Sequence, residues 1–343
     1  MKKNPHLVPD RHPQKQLFVC DVADAVLKDV MPHMEHPFYS LSKKPDTTIK
    51  RYEHNGNWIE IIPSVKGLAT IYDKDILIYC ISQIMAKIKD GLPISQLVKI
   101  NSHDLLIFTN RGFGGKDYKA LNESLDRLAG TRIRTNIRTG DEEQILGFGL
   151  IDSTSIRRKH GIDGRLLNCE IKLSDWVFNA IKAQEVLTLH PDYFRLRKPI
   201  ERRIYELARK HCGKKIKWSI GLDLLYKKSG ARSDLRRFRQ SVRDLSHNAH
   251  LPDYCVEFDS EKDMVIFTNR NTMFLENTLD FNRPILKKMT YEKARQVAPR
   301  YDVYWLEQEW IGFWIDSGKP KLKNADSAFL AFCKRRYERN PNP

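Results

Sequence analysis

Apolar positions along the chain recur with two different periods, and the changes between them mark out the elements. From Asp73 to Lys89 the residues Ile76, Leu77, Cys80, Ile81, Ile84, Met85 and Ile88 fall three and four apart. That is the spacing of one helix face; Asp73 is placed to cap it and Gly91 to stop it. Ser102–Phe108 predicts a second, shorter helix behind a Ser cap. A third runs from about Lys116 to Ala129, with Tyr118, Leu121, Leu125 and Leu128 on one face and Gly130 at its end. The period then drops to two. In Thr131–Arg138, Ile133 and Ile137 point one way and Arg132, Arg134, Asn136 and Arg138 the other. Thr139–Glu142 turns the chain and Ile145–Ile151 returns as the partner strand.

The same succession comes again. Pro199 opens a helix ending at Cys212, with proline at the first position that favours it. Lys217–Ile220 is a short strand and Leu222–Lys228 a helix. Ala231–His247 is a helix, and Tyr254–Phe258 and Met264–Phe267 flank a tight turn. Three helices followed by a hairpin is the order of a winged helix, so Asp73–Ile151 and Pro199–Thr268 read as two copies. Outside them, Asn55-Gly56 between β-prone runs predicts a further hairpin. Leu166–Leu173 and Val186–Leu189 read as strands, Ser174–Ala183 as a short helix, and Asp326–Arg339 as a helix behind the aromatic stretch Tyr301–Trp314. The expected fold is α+β, with two tandem winged-helix domains and a small C-terminal helical module. Its boundaries are a flexible tail over 1–16, a first winged-helix domain with extra hairpin and strands over 17–190, and a second over 191–270. A linker over 271–290 then leads to the helical module, 291–343.

Charge changes the picture most at Ala231–His247. On a helix Leu235, Phe238, Val242 and Leu245 share a stripe roughly 80° wide, and Arg232, Arg236, Arg239, Gln240 and Arg243 share the neighbouring one. Guanidinium groups match phosphate and the O6/N7 edge of guanine, and the Gln amide matches adenine. In the second copy this helix stands where a winged helix carries its recognition helix. The plainer reading is a solvated amphipathic helix, since Arg is a good helix former. In the counterpart helix of the first copy Lys119 and Arg127 are balanced by Glu123 and Asp126, so that copy is expected to read DNA weakly or through a wing bearing Arg132, Arg134, Asn136 and Arg138. A second basic cluster, Arg157, Arg158 and Lys159, is placed in a loop beside it. The plainer reading of that wing is an edge strand defended by charge. Over the whole chain 59 Lys and Arg face 43 Asp and Glu, a net charge of +16 that favours a polyanionic partner.

Other chemistries find less support. The six cysteines are scattered without a C-x-x-C pair, so no zinc site is expected and reduced thiols are. Gly112–Lys116 has the glycines of a phosphate loop, but Asp117 stands where Ser or Thr is needed. His33/His36 and His247/His250 are each three apart, not at the spacing of a metal-dependent nickase, and neither pair lies in an apolar strand. No catalytic residue, metal or cofactor is expected. No apolar run reaches membrane-spanning length and the N-terminus lacks a signal peptide, so a cytoplasmic protein without membrane contact is expected. The C-terminal aromatics read first as core, and alternatively as a docking face for a partner protein.

Several runs resemble the plasmid replication initiator protein A family of bacteria. They are Met34–Ser42, Ala69–Tyr79, Phe194–Arg197, Glu201–Gly213 and Leu251–Tyr254, and the likeness covers about residues 20 to 270. The resemblance implies tandem winged helices binding repeated sites (iterons) in double-stranded origin DNA, help in opening adjacent AT-rich DNA, and recruitment of a host initiator ATPase and replicative helicase. It also implies a homodimer that switches to a monomer. A winged-helix transcriptional regulator with no replication role is the alternative.

Overall fold

In the computed structural model, residues 27–137, 147–158, 166–272 and 284–339 are described, apart from residues 55, 285, 300, 302, 318, 319, 321 and 323. The chain divides into two compact units, 1–211 with 219–267, and 212–218 with 268–343.

One element order occurs twice. The first copy runs α2 (Lys74–Lys89), β4 (Leu97–Asn101), α3 (Ser102–Phe108), α4 (Gly115–Gly130), β7 (Ile151–Arg158) and β8 (Leu166–Leu173). The second runs α6 (Pro199–His211), β10 (Lys217–Gly221), α7 (Leu222–Ser229), α8 (Leu235–Asn248), β11 (Tyr254–Asp259) and β12 (Met264–Asn269). In each, the strand between the first two helices pairs with the last strand, giving the sheets β4-β8-β7 and β10-β12-β11. The strand before the second helix of each copy lies outside the helices-then-hairpin order read from the sequence in the first copy.

Around these lie β1 (Lys28–Val30), which pairs antiparallel with β9 (Val186–Thr188), and the short helices α1 (Met31–Glu35) and α5 (Asp175–Lys182). The hairpin β2 (Lys50–His54) and β3 (Asn57–Ile62) turns at Gly56, whose φ of 79° only glycine adopts freely. Carboxy-terminally come α9 (Lys288–Val297), α10 (Val303–Asp316) and α11 (Ala325–Arg339), so the described residues of the module form three helices where the sequence suggested two.

The predicted first wing is corrected. Residues of β5 (Arg132–Thr135) do pair with β6 (Phe148–Gly149), but β5 also pairs with β3. It is therefore an interior strand of a four-stranded sheet, β2-β3-β5-β6, and not half of a free ribbon. The alternation was read correctly: Ile133 and Ile137 are buried and Arg132 and Arg134 exposed. The hairpin that closes the first copy is β7–β8. Arg157 and Arg158, expected in a loop, lie in β7, opposite Asn168 and Leu166. Two caps also differ. Asn101, not Ser102, caps α3 by accepting from the His103 amide. Asp73 makes no side-chain cap on α2, because its carboxylate is taken by Arg127 at 2.7 and 2.8 Å.

The copies are joined by a buried ionic core. Lys74 of α2 is wholly buried and reaches Asp29 at 2.7 Å and Glu206 of α6 at 2.8 Å. Glu206 also accepts from the Tyr193 hydroxyl at 2.6 Å and from Arg203. Arg203 further donates to the carbonyls of His33, Met34 and Glu35 in α1 and to that of Lys228 in α7. Arg202 bridges Asp75 of α2 at 2.6 Å and the carbonyls of Phe194 and Leu196. Burial alone would raise the Asp29 carboxyl, but Lys74 and His33 outweigh it and hold it below its ordinary value. Lys74 Nζ and Asp29 Oδ2 meet as an ion pair, while His33 Nε2 and Arg203 Nε have no hydrogen-bond partner among the described residues, so pairing offsets most but not all of the cost of burying charge here.

Candidate nucleic-acid interface

Helix α8 is set by contacts on three sides. Asp234 caps its start by accepting from the Arg237 amide at 2.7 Å, and Ala249 ends it in the left-handed conformation. Phe238, Val242 and Leu245 are buried, with Phe238 edge-on to Tyr226 of α7 at 5.3 Å. The Tyr226 hydroxyl donates to the Ser233 carbonyl at 2.8 Å. Gly230, just ahead, has φ 69°, and a Cβ there would come within 2.6 Å of Pro37 Cβ. Glycine is therefore required both for the turn and for the close approach.

Opposite the buried stripe, Arg236, Gln240, Arg243 and His247 are exposed, spaced four, three and four along the helix. Arg236 has no side-chain partner among the described residues. The Gln240 amide donates to Asp244 at 2.8 Å. Arg243 lies over the Phe258 ring of β11 at 5.6 Å. Arg239, on the flank, is half-buried and gripped by Asp263, Nε to Oδ1 at 3.2 Å and Nη2 to Oδ2 at 3.0 Å. The hydrogen bonds that Arg239 donates to Asp263 raise its pKa above the ordinary arginine value. Asp263 sits in the turn between β11 and β12, so hairpin and helix are tied together. Arg232 precedes the helix and pairs with Asp46 at 2.8 Å. Lys50 and Thr48 also hold Asp46, and these partners outweigh its burial and keep its carboxyl well below the usual range.

The sequence-derived residues thus divide. Arg236, Gln240 and Arg243 share one exposed row, with Arg239 beside it and Arg232 at the entry. His247 continues the row and was not picked out, although the same three-and-four spacing reaches it. Arg132 and Arg134 lie on the four-stranded sheet. Arg132 donates to the Gly147 carbonyl at 2.9 Å and Arg134 to Glu60 at 3.4 Å. Asn136 is used internally: its oxygen accepts from the Trp58 amide at 2.8 Å and its NH2 donates to the Gly56 carbonyl at 2.9 Å, which pins the β2–β3 turn. Arg138 and Lys159 fall outside the described residues, as do the side chains of Arg157 and Arg158.

On the corresponding helix of the first copy, α4, exposed Lys116 and Lys119 are offset by Glu123 and Asp126. Lys66 pairs with Asp126, and Arg127 is held by Asp73. Charge balance there agrees with the sequence reading.

The family model for replication initiator protein A matches residues 28–256. The chain belongs to the replication initiator protein A family. A relative in Wigglesworthia glossinidia brevipalpis, described as a "Putative replication protein", is 38% identical over 259 residues, covering 75% of this chain and 94% of that one. Among solved structures, one of domains 2 and 3 of RctB is similar with a TM-score of 0.48 and 16% identity, over 70% of this chain and 98% of that one. A second structure of the same two domains gives 0.45 and 15%, over 76% and 100%. As an initiator of this family, the protein has its matched region in both copies up to β11. Strand β12 and helices α9 to α11 lie beyond the match.

Two of the histidines weighed as nickase ligands, His33 and His250, have structural partners. His33 is fully buried beside Asp29 at 3.4 Å, and His250 is buried against Glu201 at 3.1 Å. Among the described residues no group of three or more His, Cys, Asp or Glu is arranged to hold a metal ion, and no helix is long and apolar enough to cross a membrane.

Proposed function

We propose that this initiator binds duplex DNA at a replication origin, with its two copies acting as tandem winged helices and α8 as the helix that reads bases. The observation carrying this is the exposed row Arg236–Gln240–Arg243–His247, backed by a buried apolar stripe and tied to the β11–β12 hairpin by Arg239 and Asp263. Long donors projecting at helical spacing are what a major groove admits. The ionic core between α2 and α6 fixes one copy against the other, so the two engage one duplex at a set spacing. In the first copy, β7–β8 takes the place of the wing, carrying Arg157 and Arg158 towards its tip. Arg132 and Arg134 would serve phosphates from the neighbouring sheet, without base readout.

On this reading the protein acts without catalysis, in the cytoplasm, where it marks the origin, helps open the adjacent AT-rich DNA and draws in the host initiator and helicase. Footprinting on DNA flanking its own gene tests it. Protection of repeats next to an AT-rich tract is expected. Protection only across a promoter, with no repeats and no support of a replicon carrying that DNA, would overturn the origin-binding reading.

A further inference from the structure

The densest aromatic stretch of the chain plays no part in the interface above. Helices α9, α10 and α11 pack around Leu306, Trp310, Ile311, Phe329 and Cys333. That core consumes only some of the rings. Phe313 is 60% exposed, and Trp305 and Phe332 are half-buried. Together with Arg335, Arg336 and Arg339 they line an open groove of about 740 Å³ between α10 and α11. Gly312 also lines it, and a Cβ added there meets nothing within 4 Å.

The charge along this groove is mainly positive, three arginines against the single carboxylate of Glu309. On α11, Ala328, Phe332, Arg335/Arg336 and Arg339 recur three or four apart, so a single stripe passes from apolar to cationic. Arg336 pairs with Glu309 at 3.3 Å and lies over the Trp305 ring at 5.3 Å. Lys214 lies over the same ring at 5.8 Å, and Lys215 over Tyr304 at 5.2 Å. Arg335 and Arg339 are exposed and form no ion pair among the described residues. Flat aromatic faces interleaved with unneutralised guanidinium groups suit a strand whose bases are free to stack and whose phosphates repeat at close spacing. A duplex offers no unstacked base. A docked acidic helix would need enclosed pockets for its apolar anchors, and this groove is open.

We propose that the groove between α10 and α11 binds single-stranded DNA, with Phe313, Phe332 and Trp305 stacking on bases and Arg335 and Arg339 taking phosphates. The surface lies in a different unit from α8, so it stands or falls separately from the duplex reading.

The test is fluorescence anisotropy of the full-length chain with a labelled oligothymidine of about 15 nucleotides, long enough to exceed a single groove. Two variants remove the surface differently. Phe313→Ala with Arg339→Ala deletes one stacking and one phosphate contact. Gly312→Leu fills the groove where there is space for a side chain, and Leu suits a helix better than Gly. Each is expected to weaken oligothymidine binding by about tenfold or more while duplex affinity and thermal melting stay unchanged. Arg236→Ala is expected to do the reverse. Oligothymidine binding that is absent, or that both variants leave intact, would overturn the proposal. So would retention of a glutamate-rich amphipathic peptide by a chain that ignores oligothymidine, which would make the groove a protein-docking face.

Discussion

Arg236 and Arg239 stand three residues apart on one helix and do different work. Arg236 projects without a side-chain partner among the described residues, whereas Arg239 is locked by Asp263 and so positions the hairpin against the helix. The stripe that separates them from Phe238 and Val242 was legible in the sequence, because helical period alone assigns faces. Lys74 was not legible. Its partners Asp29 and Glu206 lie far from it along the chain, and nothing local marks a lysine as interior. Replacing it with Met leaves two buried carboxylates without their shared cation. Lys74→Met is therefore expected to cost about 3–5 kcal/mol, read as a lower denaturation midpoint. A midpoint within about 0.5 kcal/mol of the parent, the range of ordinary surface changes, would contradict the network.

At the scale of elements, the second copy was read nearly whole, and the first was read with the wrong hairpin. The cause is physical. Strand alternation over Thr131–Asn136 states that one face is buried, not which strands flank it, and β3 is recruited from before α2. Asn136 then looks like an exposed polar residue in sequence while its amide holds the β2–β3 turn. Asn136→Ala should destabilise the fold by about 1–3 kcal/mol, since it strips partners from the Trp58 amide and the Gly56 carbonyl. Its duplex affinity should be unchanged at temperatures where the variant is folded. Loss of affinity in a fully folded variant would return Asn136 to the interface.

For the whole molecule, acid sensitivity follows from histidines held neutral. Burial lowers His36 and His211 from 6.5 to about 4, with nearby cations Lys228, Lys210 and Arg203 adding to it and Glu35 opposing. Burial lowers His33 as well, against its partner Asp29. The unfolded chain takes up protons on these imidazoles before the folded one does. Stability should thus be steady above pH 6.5 and fall from there towards pH 4. The part of the fall above the carboxylate range belongs to the histidines. Thermal melting across this range checks it, and a midpoint that stays level down to pH 5 would contradict the assignment. The same interior joins the two copies through α2 and α6, and on the proposed reading that would let one arginine-rich helix and one charge-balanced helix address a single site.

Base readout by α8 is the proposal most directly open to measurement. The direct measurement is the affinity of parent and Arg236→Ala chains for the protected repeat and for an unrelated duplex at fixed salt. A loss of about 1–3 kcal/mol is expected on the repeat, with a clearly smaller loss on unrelated DNA. Equal losses on both would make Arg236 a phosphate contact, and unchanged binding to both would remove α8 from the interface.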